Sequence, residues 1–595
     1  MLHRVMEYAE QHGLKAEPGF AVKQVRWALS FDRQGKFLGC VELGRVGDKR
    51  NPGREFAKCP YLSQPEMKAG GETKAHFLVE TAEVVALHSK KPDDKKVQAK
   101  HAYFVKLLEQ ASQAMPLLAG PARTLGDDAQ LEAIRAELAA AKVKPNDKLT
   151  LEIDGVFPLE RTDWHDWWRQ FLRELDAGRQ KKPTRKKAGS QRLMLDLITG
   201  RPVEPVANHN KIKGLAGVGG QSSGDALASF KQESFQSFGL EKALNSAMSE
   251  QTMVTYVETL NRLIREQGHS LAGVRLVYWF KKQVPPEDDP LSSLMEPPAE
   301  QQESQALHRM RRLLQAIEQG RRPDLASNQY YALALSGAAG RVMVRDWIEG
   351  AFPELVRNVR DWFQHLEIVH RQGGAPAPLP KLWSLVAALV REMNDENKKR
   401  INQLAAGLWR AALKNQPLPQ AVPALALQRV RVDIINDDPP SHTRMALLKA
   451  YIVRNQGDEQ MKTYLNPEHP DPAYHCGRLM AVYANLQKSA LGDVGAGVVQ
   501  RYYAAASTTP ALVLGRLARL GQFHLNKLEN PGLAHWYEDQ IAGIMAHLKD
   551  EIPQTLDLKE QSLFALGYYQ QLAHMRTKKS DQPEGEENSG QDQQD

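Results

Sequence analysis

Cysteine is scarce in this chain of 595 residues: Cys40, Cys59 and Cys476 are the only three, and none stands in a Cys-x-x-Cys pair. That scarcity argues against a disulfide framework and against a cysteine-built zinc site, and it suits a reducing cytoplasm. Long apolar runs are missing as well. No stretch reaches the roughly 18 consecutive apolar residues that a membrane helix needs, so no membrane partner is expected. The opening segment MLHRVMEYAEQHGLK has the pattern of an amphipathic helix and lacks the continuous apolar core of a signal peptide. His165, between Asp163 and Asp166, has no second histidine at His-x-His or His-x-x-x-His spacing. Carboxylates are nowhere clustered as a two-metal nuclease requires. Neither a metal nor any other cofactor is therefore expected.

What is present is ordinary globular composition, 42% hydrophobic and 25% charged, in a chain long enough for several domains. The net charge of +7 conceals an asymmetry. The last fifteen residues, DQPEGEENSGQDQQD, hold six acids and no Lys or Arg, and the rest of the chain carries +13. A basic body suits a polyanionic partner, because each cation placed near a phosphate releases condensed counterions.

Along the chain, residues 22–45 alternate as a β-hairpin turning at Arg33-Gln34-Gly35. A basic loop follows, with Arg45, Lys49, Arg50, Arg54 and Lys58. HFLVETAEVVALH reads as helix, as do YFVKLLEQASQAM and DWHDWWRQFLREL, and KLTLEIDGVF reads as strand. VRLVYWF, YYALALS and RVMVRDWIE read as three more strands. Beyond about residue 350 helical periodicity dominates. The expected fold is an α+β N-terminal part, residues 1–350 with room for two subdomains, followed by an all-α helical bundle at 351–579 and a disordered acidic tail at 580–595.

Three segments are candidates for function. RQKKPTRKKAGSQR (179–192) has seven basic residues in fourteen and no acid, with Lys181, Lys182, Arg185, Lys186 and Lys187 at its centre. The glycine-rich segment after it supplies Lys211, Lys213, Gly219, Gly220, Gln221, Ser222 and Ser223, with a helix expected from about Asp225. Glycines admit close backbone approach to phosphate, and the short polar side chains add donors. Gly220-Gln221-Ser222-Ser223-Gly224 also matches the Gly-x-Ser-x-Gly nucleophile elbow, which would make Ser222 a hydrolase nucleophile. An elbow follows an apolar strand, whereas KGLAGVGG reads as a loop. A third candidate is ALVLGRLARLGQFHLNKL (511–528). There Val513, Leu517, Leu520, His524 and Leu528 form one face, and Arg516, Arg519, Phe523 and Lys527 fall within an arc of about 80° beside it. A basic stripe with one aromatic suits single-stranded nucleic acid. Trp164, Trp167 and Trp168, at helical spacing, suit a core better than a base-stacking platform.

Four stretches resemble the large subunit of the type I-C CRISPR Cascade complex. They are KIKGLAGVGGQSSGDALASFKQESFQSFGLEKALNSAMSEQTMVTYVETLNRLI (211–264), LSGAAGRVMVRDWIEGAFPELVRNVRDWFQHLEIV (335–369), residues 475–528 and EQSLFALGYYQQ (560–571). The resemblance implies a non-catalytic cytoplasmic subunit in antiviral defence. Its partners would be the guide RNA at its 5′ handle, double-stranded target DNA, the backbone, guide-processing and small Cascade subunits, and a separate helicase-nuclease. It would read the protospacer-adjacent motif and help open the duplex. It also implies that residues 475–579 resemble the small subunit, which an internal start at Met461 or Met480 could produce separately. The family often has Asp-Asn after Phe-Leu in its N-terminal domain. This chain has Phe77-Leu78-Val79-Glu80-Thr81 instead, which shifts the expected contacts to Lys68, Lys74, His76 and Thr81. A hydrolase built on Ser222 and a generic protein-binding scaffold remain the alternatives.

Overall fold

The structure is a computed structural model and describes residues 1–14, 17–45, 53–62, 64–67, 73–89, 91–180, 193–230, 232–236, 238–295, 303–492, 494–548 and 552–577. The basic run 181–187, Lys49, Arg50, Lys68 and the acidic tail lie outside them. The chain divides into two compact units, one of residues 2–210 with 228–260, the other of 211–227 with 261–595.

The first unit begins with the amphipathic helix α1 (Leu2–Gln11) and then builds two small sheets. β1 (Phe20–Val25) pairs antiparallel with β4 (Arg54–Pro60). The second sheet has the order β3 (Phe37–Glu42), β2 (Trp27–Phe31), β6 (Lys148–Ile153), β5 (Glu80–Thr81). The expected hairpin is thus formed by β2 and β3, while 20–25 is a separate strand with another partner. The hairpin turn is set by Asp32, whose carboxylate accepts from the Gln34 and Lys36 amides at 2.9 and 2.8 Å. Gly35, at φ +90°, lies so close to Gly120 that a Cβ would stand 2.2 Å from its carbonyl carbon. Against the sheets pack α2 (Lys95–Ala111), α3 (Asp128–Ala140) and α4 (His165–Gln180). The tryptophan stripe is core: Trp164 and Trp168 are fully buried, and the Phe77 ring lies 5.2–5.7 Å from all three indoles. The helix expected over HFLVETAEVVALH is confined to Ala82–Val85. Leu78 and Leu87 take positive φ, 58° and 52°, which breaks the helix on both sides of that turn. After α4, β7 (Met194–Leu195) pairs antiparallel with β8 (Pro202–Val203), and the division between the units falls within α5 (Glu250–Gln267).

In the second unit β9 (Gly268–Leu271), β10 (Val274–Phe280), β11 (Gln329–Ala338) and β12 (Arg341–Ala351) form one antiparallel meander. The helices that follow are α6 (Glu303–Glu318), inserted between β10 and β11, then α7 (Phe352–Leu366), α8 (Asp395–Lys414), α9 (Ala421–Ile435), α10 (His442–Gln456), α11 (Pro472–Leu491), α12 (Val498–Ala506), α13 (Pro510–Leu525), α14 (Pro531–Leu548) and α15 (Leu558–Arg576). The α+β character of the N-terminal part and the helical C-terminal part are as the sequence implies. The contacts, however, do not divide at residue 350. Leu276, Tyr330, Ala332 and Ile348 of the meander share one core with Trp362, Trp409, Tyr474 and Phe564 of the helices. Strand alternation turns those side chains toward α7 and α8 and joins sheet and bundle.

The bundle is built around α11 and α15. A Cβ added at Gly477 would lie 2.0 Å from the Phe564 carbonyl oxygen, and one at Gly567 would lie 2.1 Å from that of Tyr474. The two helices therefore meet backbone to backbone. Beside the crossing, Tyr474 donates to Gln570 Oε1 at 2.5 Å, Gln570 Nε2 donates to the Lys462 carbonyl at 2.9 Å, and Arg478 Nε donates to Gln571 Oε1 at 2.9 Å. Replacing Gly567 by Ala forces the helices apart, and overpacking of this kind costs about 1–3 kcal/mol. Gly543, on α14, has nothing within 4 Å of an added Cβ, and Ala there should stabilise by about 0.5–1 kcal/mol. Thermal unfolding should show G567A below and G543A above the parent, and equal shifts would refute the crossing as the constraint.

Candidate nucleic-acid interface

The N-terminal unit gathers lysines around one histidine. Lys23 comes from β1, Lys74 and His76 from the segment before β5, Lys100 from α2 and Lys148 from β6. The Leu62 amide donates to His76 Nδ1 at 3.2 Å, which makes Nε2 the protonated nitrogen of the neutral ring. The Tyr61 ring stacks on it at 5.4 Å. Burial, then the charges of Lys23, Lys148 and Lys100, push the His76 pKa down to about 3. Burial also takes the Lys23 ammonium down to about 8, although it donates to the Pro60 carbonyl at 3.1 Å. Glu80 accepts from the His76 and Thr81 amides, both at 3.0 Å, and so fixes the turn that carries this histidine. Thr81 pairs in register with Lys148. Lys74 is buried, its ammonium 6.0 Å from the Tyr103 ring centre. The geometry turns Lys74 to the Tyr103 ring, pairs Thr81 with Lys148, and sets His76 among the charges of Lys23, Lys100 and Lys148. These three come from separate elements, and no local run of charge marks them in the sequence.

The basic loop contributes less charge than its composition suggests. Arg45 is exposed, but Arg54 is ion-paired with Glu160 and lies between the Phe56 and Phe157 rings, 5.1 and 4.9 Å from their centres. Lys58 is held 3.1 Å from Glu17.

The glycine segment belongs to the second unit and folds onto the β11–β12 hairpin. Ile212 and Asp225 bridge through both backbone hydrogen bonds, each 2.8 Å, and close a loop between them. A Cβ on Gly219 would meet the Gly337 carbonyl at 2.6 Å, and one on Gly337 would meet Gly220 at 2.1 Å. The helix expected from Asp225 is absent. Asp225 is fully buried, and its carboxylate accepts from the Gln221 amide at 3.2 Å, closing the loop rather than capping a helix. The next α-helix starts at Glu250. Gln221, Ser222 and Ser223 are exposed, as are Lys211 and Lys213. Lys211 Nζ donates to Ser223 Oγ at 3.3 Å, and the Lys213 amide donates to Asn261 Oδ1 at 2.7 Å. Ser222 follows a 3₁₀ turn at Ala216–Val218 and precedes no helix, so the strand–turn–helix of a nucleophile elbow is not formed.

On α13, Val513, Leu517 and His524 are buried and Leu520 partly so, as their spacing implies; the helix ends at Leu525, three residues short of the expected Leu528, which is also partly buried. Arg516, Arg519 and Phe523 are exposed beside that face, with Leu512 next to them, and Lys527 is exposed in the turn after the helix; Phe523 keeps 68% of its surface in solvent and Leu512 78%. The Arg516 guanidinium lies 5.5 Å from the Tyr502 ring centre, which orients it on this face. A row of cations with solvent-facing apolar groups can hold phosphates and stack a base.

Among the described residues no group of three or more His, Cys, Asp or Glu is placed to hold a metal, and no helix is long and apolar enough to cross a membrane. Burial raises the thiols of Cys40 and Cys476 to about 12 and that of Cys59 to about 11, away from reactive thiolate.

The His76 geometry has a pH signature. A histidine near 6.5 when unfolded and near 3 when folded takes up its proton on unfolding across that window. Its contribution to stability is whole above pH 6.5 and is lost as pH falls toward 3. His76→Gln should therefore flatten the fall of the melting temperature between pH 7 and pH 4.5. An identical pH slope in parent and variant would remove His76 as a cause.

Comparison with curated proteins gives no match. The family model described as CRISPR-associated protein (Cas_Csd1) matches residues 2–576, from α1 to the end of α15. On that match the chain belongs to the Cas_Csd1 family of CRISPR-associated proteins.

Proposed function

We propose that the chain is the non-catalytic large subunit of a type I-C Cascade complex, which recognises the protospacer-adjacent motif in double-stranded DNA, helps open the duplex and supports recruitment of a separate helicase-nuclease. The observation that carries this reading is the family match over residues 2–576. In this reading Lys148, exposed, and Lys100, half-exposed, reach from the cluster around His76 to duplex phosphates close to the motif. The Gln221–Ser223 tip contacts a backbone of guide or target. The α13 stripe holds a single strand through Arg516, Arg519 and Lys527, with Phe523 stacking a base. Base pairing with the guide reads the target sequence, leaving the protein only a short motif and backbone shape to read; such a division of labour operates in another RNA-guided effector.

Tagged chain expressed with its neighbouring genes should co-purify with a guide RNA and the other Cascade subunits. Isolation without RNA, as a lone protein, would refute the assignment. The purified chain should not cut DNA in Mg²⁺ or Mn²⁺, and nuclease activity that survives repurification would refute the non-catalytic role. Arg516→Ala with Arg519→Ala should lower the salt slope of single-strand binding by about 1.4, near 0.7 for each phosphate that the variant no longer neutralises. An unchanged slope would remove the stripe.

Of the two internal starts, Met461 suits a separate small subunit. A chain begun there keeps all of α11 and the Lys462 carbonyl that receives Gln570. A start at Met480 falls inside α11 and deletes Gly477 from the crossing. With a C-terminal tag, Met461→Leu should abolish a short second product that Met480→Leu spares, and the reverse pattern would overturn this choice.

A further inference from the structure

A groove in the second unit collects arginines that none of the surfaces above uses. It has a volume of about 440 Å³ and is lined by Glu287, Asp288, Arg309, Arg312, Leu313, Ala316, Arg321 and Arg322. Arg309, Arg312, Leu313 and Ala316 stand at i, i+3, i+4 and i+7 on α6 and so share one face. Neither Arg309 nor Arg312, nor Arg311 between them, has an acid on its own helix at three or four residues' distance; those places hold Gln305, Ala306, Leu307, His308, Leu313, Leu314, Gln315 and Ala316 or another arginine. The three arginines thus stand together on the helix, whose own acids, Glu303 and Glu318, lie at least six residues from each of them. Across the groove Asp288 is matched, since Arg322 Nη1 lies 2.5 Å from it while Nη2 lies 3.1 Å from Asp324. The lining thus holds four arginines, Arg309, Arg312, Arg321 and Arg322, and two carboxylates, Glu287 and Asp288. Arg312 and Arg321 are exposed at the rim, and the buried Leu313 with Ala316 gives an apolar floor.

Guanidinium forks match phosphate oxygens in pairs, and an apolar floor accepts the sugar between successive phosphates. We propose that this groove binds the phosphodiester backbone of one single-stranded nucleic-acid segment. The proposal extends the nucleic-acid reading above, but it shares no residue with the His76 cluster, the glycine tip or α13, so the readings fail separately.

The test uses the full chain and a short fluorescent oligothymidylate, with binding followed by anisotropy across a KCl series. Arg312→Ala with Arg321→Ala should weaken binding about tenfold at low salt and reduce the salt slope by about 1.4. The corresponding double Lys variant should keep the slope, because charge alone sets it. Unchanged affinity and slope in the Ala variant, with the melting temperature also unchanged, would overturn the proposal. Loss of tripolyphosphate binding in that variant with oligothymidylate binding intact would assign the groove to a free phosphate compound and overturn it as well. A shift confined to the α13 variant would overturn the groove alone. A shift confined to the groove variant would support it and overturn the stripe. A parent chain that binds no oligonucleotide would overturn both, whatever guide RNA co-purifies.

Discussion

The contact on which the second unit depends is the crossing of two helix backbones at Gly477 and Gly567. No side chain fits between them, since a Cβ on either glycine would lie within 2.1 Å of a carbonyl oxygen on the other helix. At that separation the long polar side chains beside the crossing meet directly, and Tyr474, Arg478, Gln570 and Gln571 satisfy one another inside the core. Gln570 also fixes the segment before α11 through the Lys462 and Thr463 carbonyls, and Tyr569 ties α15 to the Val369 carbonyl at 2.7 Å. The next layer repeats the constraint. A Cβ on Gly521 of α13 would lie 3.0 Å from the Tyr483 ring of α11. α13 is thereby seated on α11 by its small and apolar face, and its arginines are left outward. The basic stripe is a consequence of how α11 is packed on both sides.

Net charge overstates how much cation this protein can offer a ligand. Arg410 is paired with the buried Asp346, Arg444 with the buried Asp433, and Arg454 binds the Ala411 carbonyl at 2.7 Å while lying over Trp362. Arg478 is itself buried, and Arg54 is held between two phenylalanines. Such guanidiniums hold elements together. Removing one leaves its partner charge or carbonyl unpaired, so the variant reports on folding before it reports on ligand. Arg516 and Arg519 differ because they stand on an outward helix face, and Arg312 and Arg321 because they stand at the rim of a groove.

Much of this was legible in the sequence, and the reasons differ by element. Strands β2, β3, β6, β10, β11 and β12 follow short apolar or alternating runs, and α13 follows a stripe that its burial reproduces residue by residue. These patterns are local, and local periodicity is what a sequence carries. The segment at 74–88 misled because its apolar residues are buried by surrounding elements, not by one helix face, and Leu78 and Leu87 are held at positive φ within that core. The strand at 20–25 looked like half of a hairpin because its partner, β4, lies beyond an intervening hairpin. The lysine cluster was half legible. Lys74 and His76 are neighbours in sequence, whereas Lys23, Lys100 and Lys148 reach the site from two strands and a helix. The sheet–bundle core across residue 350 was hidden in the same way, since composition changes there while packing does not.

The glycine segment shows how a specific motif can answer a packing requirement beside a proposed contact. Gly219 and Gly337 are required by backbone packing and Gly220 by the Asp225 carboxylate, which a Cβ would meet at 2.3 Å; Gly224 adds a backbone demand, since a Cβ there would lie 2.9 Å from the Ile212 carbonyl oxygen. Their presence therefore argues for the loop's shape and carries no information about a ligand. What the shape leaves in solvent is a short polar tip, Gln221 to Ser223, beside Lys211 and Lys213. Because Asp225 holds the tip from below through the Gln221 amide, any side chain added at the glycines displaces the tip as well. Loss of nucleic-acid binding in a glycine variant would thus be uninformative, while loss in a Gln221 or Lys211 variant would locate the contact. The same separation holds for the chain as a whole. The glycine block and Gly567-Tyr568-Tyr569-Gln570, both within stretches that resemble the family, are residues that close packing and buried hydrogen bonds require. The cations proposed to touch a polyanion at the glycine tip and on α13 are exposed, and those constraints determine their positions.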